Sequence, residues 1–531
     1  MKQRPHVLVA GGGHNGLVAA NYLARNGFRV TLVEARETLG GVVGPTEFMP
    51  GYKASVTNSP GSFEGRILEE LDLRSYGLRF HAPDITLLQH AQNRLFVGWR
   101  DRDRVAEQMN AASSGEATRH RQMVDYLNDL GSASGLSLWD PPISLDEVLA
   151  NMEPSKRRDF KRTFVDGTLS DLLDSSLESD LAKSLMMMVA LNGNLISPDE
   201  PGSAIGLLLR PISRASSRVD TLGIGDSPLR GSVGLPIGSM SAIIDALEKS
   251  AIDHGVEVVT KDPVESLIVD DEGVVRSAAL ASGKTIGPLD HSVLTMEPSL
   301  IQNLLPNQLA PAPLYPDKPT GSAFKAVVAL NGLPDVSGAP GDVPLNKLLE
   351  AQFRVGPDPE YIRRAVHDGI SGMPSMNPII WGLIHSLSSP EVAPDGKHLL
   401  SLNVWHAPYS LGAEYWKANK SHYLGHVLET LEEYFPGLNS RIDDVVSYTP
   451  HDLEAEFNLS GSNITHGDMT VRALLDGRPS TALVNTLSHH GITLGGAGSW
   501  PGGYVSGVPG RNAASKVIQT QKEKNNARIS R

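Results

Sequence analysis

The sequence predicts an α/β protein in which a Rossmann-type nucleotide-binding domain is interrupted by an inserted α+β domain. Three observations support this fold class: a glycine cluster between a strand and a helix near the start, a second glycine-rich turn late in the chain, and mixed helix and strand patterns between them. A chain of 531 residues also exceeds what one core usually holds. The predicted nucleotide-binding domain comprises residues 1–75, 225–300 and 476–531, and the inserted domain comprises residues 76–224 and 301–475.

The first glycine cluster follows a short apolar run and opens a helix of small residues. In such a unit Gly11 permits the tight turn, Gly13 lets backbone amides approach a pyrophosphate, and Gly16 lets the helix lie close to the strand. A second apolar run ends at Glu34, whose carboxylate can accept hydrogen bonds from ribose hydroxyls. The alternative is a glycine turn in an ordinary α/β domain. The predicted dinucleotide contacts here are Gly11, Gly13, Asn15, Gly16 and Glu34.

The segment directly after Glu34 extends this phosphate site with an arginine and two adjacent glycines. This extension resembles flavoproteins of the glutathione-reductase-like class, which include the amine oxidases and the phytoene desaturases. The resemblance implies FAD as the cofactor and adds Ala35, Arg36, Gly40 and Gly41 to the site. It also implies that the backbone of Val264, at the start of a predicted hairpin, meets the adenine.

The late glycine segment, residues 492–504, combines a short strand, a glycine turn and a helix that we expect from about Ser506 to Gln519. A helix N-terminus placed there can face the flavin edge on which negative charge accumulates during reduction. Small residues allow the backbone to approach the ring. The alternative is a glycine-rich surface loop. The predicted cofactor contacts are Gly498, Gly502, Gly503, Tyr504 and Val505.

Three stretches resemble a more specific group, the pyridine nucleotide-disulfide oxidoreductase domain-containing protein 2 family of phytoene-desaturase-like flavoproteins. They are residues 50–53, residues 463–469, and residues 500–503 continuing to 510–514. The chain departs from this family at Trp500 and at Tyr504, where the family usually has histidine and glycine. These aromatic residues either form a cage around the substrate nitrogen, as in amine oxidases, or pack against the flavin ring.

Lys325 and His466 complete the candidate catalytic set with Trp500 and Tyr504. The context of Lys325 resembles the amine-oxidase strand whose lysine holds a water beside flavin N5, where it can also act as a base if burial lowers its pKa. The alternative is a lysine that faces solvent at a strand edge. His466 lies among turn residues and is either a general base, a substrate-orienting residue or a structural residue.

Two further segments are candidates to face the substrate. A methionine-rich helix pattern at residues 181–189 either lines a pliable cavity or forms an ordinary buried helix. Trp405 and His406 close another apolar strand.

Composition excludes several classes of function. The net charge of −13 disfavours nucleic-acid binding, and no apolar run approaches the roughly 20 residues of a membrane span. The absence of cysteine rules out dithiol chemistry and thiolate metal ligands. The adjacent His489 and His490 have no partner at metal-ligand spacing, and we expect no metal site. The first strand begins near Pro5 and leaves no room for a leader, which predicts a cytoplasmic protein. The oligomeric state is left open, and a homodimer is one form it can take.

The sequence therefore predicts an FAD-dependent oxidoreductase whose inserted domain binds a small organic substrate. Flavin N5 would take a hydride from a C–N or a C–C bond. One alternative is a desaturase or isomerase of carotenoid-like polyenes, as the desaturase resemblance suggests. Another is a flavin-binding regulatory protein with little turnover.

Overall fold

The computed structural model describes residues 4–57, 63–91, 94–216, 234–305, 309, 321–476, 478–479 and 481–529. The predicted domain boundary between residues 224 and 225 lies outside these ranges. The strands are β1 (His6–Ala10), β2 (Arg29–Val33), β3 (Pro45–Met49), β4 (Tyr52–Ser55), β5 (Phe80–His81), β6 (Ile85–Ala91), β7 (Arg94–Trp99), β8 (Leu235–Pro236), β9 (Glu257–Val259), β10 (Val264–Val269), β11 (Val275–Leu280), β12 (Thr285–Ile286), β13 (His291–Leu294), β14 (Ala323–Leu330), β15 (Gln352–Val355), β16 (Ile380–Ile384), β17 (His398–Trp405), β18 (Ile442–Tyr448) and β19 (Ile492–Leu494).

Helices fill most of the chain between these strands. They are α1 (His14–Arg25), α2 (Gly65–Glu70), α3 (Arg102–Ala112), α4 (Glu116–Ala133), α5 (Leu145–Asn151), α6 (Pro154–Phe164), α7 (Leu169–Ser176), α8 (Asp180–Ala190), α9 (Leu209–Ser216), α10 (Ser241–Asp253), α11 (Pro298–Leu304), α12 (Leu345–Leu349), α13 (Pro359–Ile370), α14 (Gly412–Tyr434), α15 (Pro450–Phe457), α16 (Val471–Leu475), α17 (Thr481–His489) and α18 (Val508–Ile529). Within the described ranges, no helix is long and apolar enough to cross a membrane.

A five-stranded parallel sheet forms the first layer, in the order β19-β13-β1-β2-β9. Its strands come from three separate stretches of the chain. Alternate residues of β1 enter two different cores, because Val7 and Val9 pack with the helices whereas Leu8 and Ala10 pack toward the β10-β11-β12 sheet. Burial of both faces is the usual state of a parallel sheet and explains the continuous apolar run. The predicted domain boundaries stay predictions.

A seven-stranded, mostly antiparallel sheet forms the second layer, in the order β18-β14-β17-β16-β15-β6-β7. One face of it packs under α14, where Phe324 meets Trp416 at 5.9 Å between ring centroids. The opposite face, called the inner face here, carries Ala323 and Val327 toward the other core. The apolar strand that the sequence predicts to end near Trp405 is β17, and it pairs with β14.

The last helix differs in extent from its prediction. α18 begins at Val508, two residues after the predicted start, and continues to Ile529. Its polar end consists of good helix formers and carries contacts such as the 3.0 Å hydrogen bond from Gln519 to Glu523 one turn later. Near its start, the Gly510 backbone N–H donates to Asn15 Oδ1 at 3.4 Å, so α18 packs directly on α1.

Gly16 lets α1 lie against the turn that follows β1. A Cβ at Gly16 would lie 1.9 Å from the Gly11 carbonyl oxygen and 2.8 Å from Thr295 Oγ1. We therefore expect Gly16→Ala to lower the free energy of unfolding by about 1–3 kcal/mol or more, the usual cost of overpacking. Thermal denaturation of the apoprotein measures this effect. An unchanged melting temperature would contradict the close packing of α1 on this turn.

Candidate functional site

A cavity lies between the two sheets. Its volume is about 470 Å³, and its walls run from the carboxyl ends of β1 and β2 to the inner face of the seven-stranded sheet. Ligand sites in open α/β sheets lie at these carboxyl ends. The predicted site residues that line it are Gly11, Gly13, Asn15, Glu34, Ala35, Arg36, Gly40, Gly41, Val264, Lys325, His466, Tyr504 and Val505.

Glu34 joins the two glycine loops at one end of the cavity. Its Oε2 accepts from the Gly12 N–H at 2.7 Å, and its Oε1 accepts from the Arg36 N–H at 2.9 Å. The Gly40 N–H in turn donates to the Gly12 carbonyl at 2.8 Å. Carboxylate oxygens have further lone pairs, so Glu34 can also accept from a ribose hydroxyl.

If the cavity holds the FAD that the sequence predicts, we expect Glu34→Gln to weaken its binding, because a neutral amide would replace the charged acceptor predicted for the ribose. Loss of one charge-assisted hydrogen bond costs about 1.5–3 kcal/mol, which raises the FAD dissociation constant by roughly 10- to 100-fold. Titration of the apoprotein with FAD and with FMN measures it, since FMN lacks the adenosine half. An equal loss for both flavins would contradict a contact with the ribose.

The start of α1 faces the cavity and leaves room for a phosphate. Gly13 precedes the helix with φ −68° and ψ 176°, and nothing lies within 4 Å of the place where its Cβ would be. Next to it, the buried Nε2 of His14 has no hydrogen-bond partner in the described part of the chain. Burial lowers the pKa of His14 to about 4, so the imidazole is neutral near pH 7. Helix N–H groups, an open backbone and an unpartnered imidazole nitrogen together fit a bound dinucleotide.

Lys325 lies at the other end of the cavity, near the start of β14. Its side chain is buried, with an exposed fraction of 2%. Nζ donates to Ser401 Oγ at 2.5 Å and to Asn403 Oδ1 at 3.0 Å, and both of these partners are neutral. Burial lowers the pKa of Lys325 to about 7, which makes both the ammonium and the amine accessible near neutral pH. The predicted solvent-facing alternative for this lysine is therefore wrong.

A loop with several internal hydrogen bonds presents His466 to the cavity. Asn463 organises this loop, because its Oδ1 accepts from the Thr465 N–H at 2.9 Å and from the Gly467 N–H at 3.2 Å. Asp468 accepts from Asn463 Nδ2 at 2.6 Å, which gives that carboxylate a structural part. His466 itself has a left-handed backbone, φ 53°, and a buried Nδ1 without a partner among the described residues. Burial lowers its pKa to about 4.

The late glycine segment reaches the cavity through fewer residues than expected. Tyr504 and Val505 line it, and the Tyr504 hydroxyl donates to the Asn192 carbonyl at 3.2 Å. Gly502 and Gly503 face away, because their Cβ atoms would lie 2.7 Å from the sulfur of Met469 and 2.5 Å from the Cα of Thr465. Their small size is needed for loop packing. Gly498 and Gly16 are likewise not among the described residues that line the cavity.

The structure corrects the expectation for Trp500. This side chain is buried in the core, and its indole N–H donates to the Ser137 carbonyl at 3.2 Å. Among the described residues that line the cavity, Trp500 does not occur. A buried indole needs an acceptor for its N–H, and here the Ser137 carbonyl, between α4 and α5, is that acceptor. Trp500 and Tyr504 therefore do not form an aromatic cage in this cavity.

Two buried histidines, His14 in the cavity wall and His385 near Lys325, were missed from the sequence. His14 lies within the glycine motif at a position that the motif leaves unspecified. His385 follows β16, is buried, and has an unpartnered Nε2 in the described part of the chain. Burial and the nearby Lys325 lower the pKa of His385 to about 3. No spacing rule could have found His385, because only the sheet brings it near Lys325. Within the described ranges, no group of three or more His, Asp or Glu side chains could hold a metal ion.

A split parallel sheet with a glycine-lined cavity that ends at a buried lysine is the architecture of an FAD-dependent oxidoreductase. A comparison with family models agrees, because residues 16–518 match the family described as flavin containing amine oxidoreductase. The chain belongs to this family, and FAD is its cofactor.

Known proteins resemble the chain over nearly its whole length. Pyridine nucleotide-disulfide oxidoreductase domain-containing protein 2 of Rattus norvegicus is 27% identical over 563 aligned positions, covering 98% of this chain and 94% of that protein. The structure of an oxidoreductase from Methanosarcina mazei superposes with a TM-score of 0.60 at 14% identity, covering 97% and 100% of the two chains. Cyclohexylamine oxidase from Brevibacterium oxydans IH-35A gives a TM-score of 0.56 at 14% identity, covering 98% and 100%. At these identities the two structures show the fold alone.

Proposed function

We propose that this enzyme oxidises the C–N bond of a small amine to an imine. The observation that carries the proposal is Lys325, a buried side chain whose pKa of about 7 lets it bind or release a proton at the wall of the cofactor cavity. When bound, FAD supplies a two-electron acceptor that takes a hydride at N5. Formation of an imine also releases a proton, and Lys325 Nζ in its amine form can accept it directly or through a water that it holds.

In the proposed reaction, the polar residues near Lys325 and along the cavity wall have separate roles. Asn403 and Ser401 keep Nζ in place through their hydrogen bonds. His466 is neutral and can donate or accept one hydrogen bond, which suits it to orient the amine or the flavin rather than to carry charge. Tyr504 is tied to the Asn192 carbonyl and forms part of the cavity wall, where its ring can exclude water from the substrate.

Each part of FAD can be assigned to residues that line the cavity. We assign the ribose to Glu34, the pyrophosphate to the start of α1 at Gly13 with His14, and the adenine to the backbone near Val264. Arg36 lies over the ring of Phe457 at 5.1 Å, so its planar guanidinium forms part of the same end. A cytoplasmic location and a homodimer stay predictions from the sequence.

Anaerobic mixing tests the reaction. The purified holoenzyme is mixed with primary amines, with amino acids and with apolar polyenes while the absorbance of the oxidised flavin is followed. We expect bleaching by a compound that carries an amine, with formation of the corresponding imine or its carbonyl hydrolysis product. Bleaching by polyenes alone would show oxidation of a C–C bond instead and would overturn the proposal. The cyclohexylamine oxidase named above, which shares the fold, supports the choice of amines as first probes.

A further inference from the structure

His466 has a backbone conformation that residues other than glycine rarely adopt. Its φ is 53°, in the left-handed region, and Gly467 follows with φ 127°. This conformation is costly for a residue with a side chain, and it persists only where the surrounding structure holds it. Such strain is concentrated at functional sites. The imidazole of His466 lines the cofactor cavity, and its buried Nδ1 has no partner among the described residues.

Two side chains hold the residues on both sides of His466. Asn463 Oδ1 accepts from the backbone N–H groups of Thr465 and Gly467. Arg478 Nη2 donates to the carbonyl oxygens of the same two residues, at 2.7 Å from Thr465 and at 3.0 Å from Gly467. Asn463 and Arg478 together therefore bond both polar backbone groups of each neighbour of His466.

Arg478 contacts both loops that contribute to this part of the cavity wall. The residue is buried, with an exposed fraction of 3%. A Cβ at Gly467 would lie 2.7 Å from its Nη2, and a Cβ at Gly502 would lie 3.1 Å from its Nη1. Gly502 is two residues before Tyr504, which lines the cavity. Arg478 is not among the described residues of the cavity wall, so its effect on a bound ligand is indirect.

A guanidinium suits this position better than a neutral side chain for two reasons. Its planar N–H groups can bond two carbonyl oxygens at once, and hydrogen bonds from a charged donor are roughly twice as strong as neutral ones. Its positive charge also disfavours a proton on the nearby imidazole. Burial, together with the charge of Arg478, lowers the pKa of His466 to about 4, so the ring is neutral near pH 7 and keeps one nitrogen as an acceptor.

We propose that Arg478 is a positioning residue for the reaction, which holds the His466 ring in the cavity wall through the carbonyl groups on either side of it. This inference rests on the proposed amine oxidation, in which His466 orients the amine or the flavin. It predicts that Arg478 affects the reaction only while His466 is present. A purely structural role for Arg478 predicts instead the same loss of activity whether or not His466 is present.

A double-mutant cycle separates these two roles. Arg478→Met, His466→Asn and the double variant are compared with the parent holoenzyme by kcat/KM for the best amine substrate. Asparagine is chosen because it tolerates the left-handed backbone. We expect each single variant to lower kcat/KM by about 2- to 10-fold, the effect of one hydrogen bond, and the double variant to lose no more than either single one. Losses that multiply in the double variant would overturn the proposal, as would an unchanged kcat/KM in either single variant.

Two further variants control for misfolding and for unspecific effects. Arg478→Lys keeps the charge but presents a single ammonium group, so it should recover part of the kcat/KM that Arg478→Met loses. Arg158→Met, at an exposed arginine of α6 outside the cavity wall, is the matched control and should behave as the parent enzyme. If Arg478→Met does not fold, as its melting temperature shows, the cycle is built with Arg478→Lys and judged by the same criteria.

The position of the His466 ring tests the inference without any substrate. A crystal structure of the Arg478→Met holoenzyme, or of Arg478→Lys, should show this ring displaced from the cavity wall. If no amine reduces the flavin, amine oxidation is wrong, and a displaced ring still supports Arg478 as the residue that positions His466. A ring that keeps its place in the variant overturns the inference, whatever the substrate is.

Discussion

Replacement of Gly13 by valine should give a folded, colourless protein. The backbone at Gly13 has φ −68°, which any residue adopts, and its Cβ would point into open cavity space. Valine is therefore compatible with the apoprotein but occupies the place where the pyrophosphate approaches the start of α1. Loss of two charge-assisted hydrogen bonds there would raise the FAD dissociation constant by on the order of 100-fold or more. The flavin absorbance per protein after purification, and titration of the apoprotein with FAD, measure this.

A control variant at a glycine outside the cavity shows whether the loss of FAD is specific to Gly13. Gly341→Val is the matched control, since Gly341 is exposed and also has nothing within 4 Å of its Cβ position, yet it lies outside the cavity wall. This control should stay yellow with an unchanged melting temperature. Retention of FAD by Gly13→Val would contradict the assignment of the pyrophosphate to this helix start.

Replacement of Lys325 by methionine should keep the yellow colour and slow flavin reduction by about 10²- to 10⁴-fold, the usual contribution of a positioned acid or base. Methionine fills a similar volume and removes a buried charge, so the variant should fold. Stopped-flow reduction with the best amine substrate measures the rate. Lys347→Met, at a half-exposed lysine remote from the cavity, is the matched control. An unchanged rate of flavin reduction in Lys325→Met would show that Lys325 takes no part in the reaction.

The pH dependence of the rate of flavin reduction tests the role of Lys325 independently. Burial lowers the pKa of Lys325 to about 7, so Nζ is an ammonium below this pH and an amine above it. A base must be unprotonated, and the rate of flavin reduction should therefore rise with pH up to about 7 and then level off. The rise of the rate with pH should be absent in Lys325→Met. A rise that persists in the variant would assign the titration to another group, such as the substrate amine.

Much of the fold was predictable because local patterns determine it. The glycine motif, the buried β1 and the acid at Glu34 follow each other within one contiguous unit, so spacing alone predicts their geometry. Lys325 was located by the resemblance of its strand to amine oxidases, and the structure places it in the cavity wall.

Long-range contacts explain what the sequence did not reveal. Trp500 and Tyr504 lie four residues apart in one glycine-rich turn, and the pattern does not distinguish them. The acceptor that draws Trp500 into the core, the Ser137 carbonyl, is 363 residues away. His385 likewise looks like an ordinary residue at the end of a strand until the pairing of β14, β17 and β16 brings it near Lys325. Such positions depend on which strands pair, and strand pairing is not a local property.

The packing of α18 on α1 has a consequence for how the enzyme is made. Tyr504 and Val505 lie in the cavity wall, β19 adds to the parallel sheet beside β13, and Gly510 donates to Asn15 at the start of the first helix. A nascent chain therefore lacks part of the flavin site until its last forty or so residues have left the ribosome. Cofactor loading is accordingly a late event in biogenesis, and a translation product that stops before residue 492 would be released without its prosthetic group.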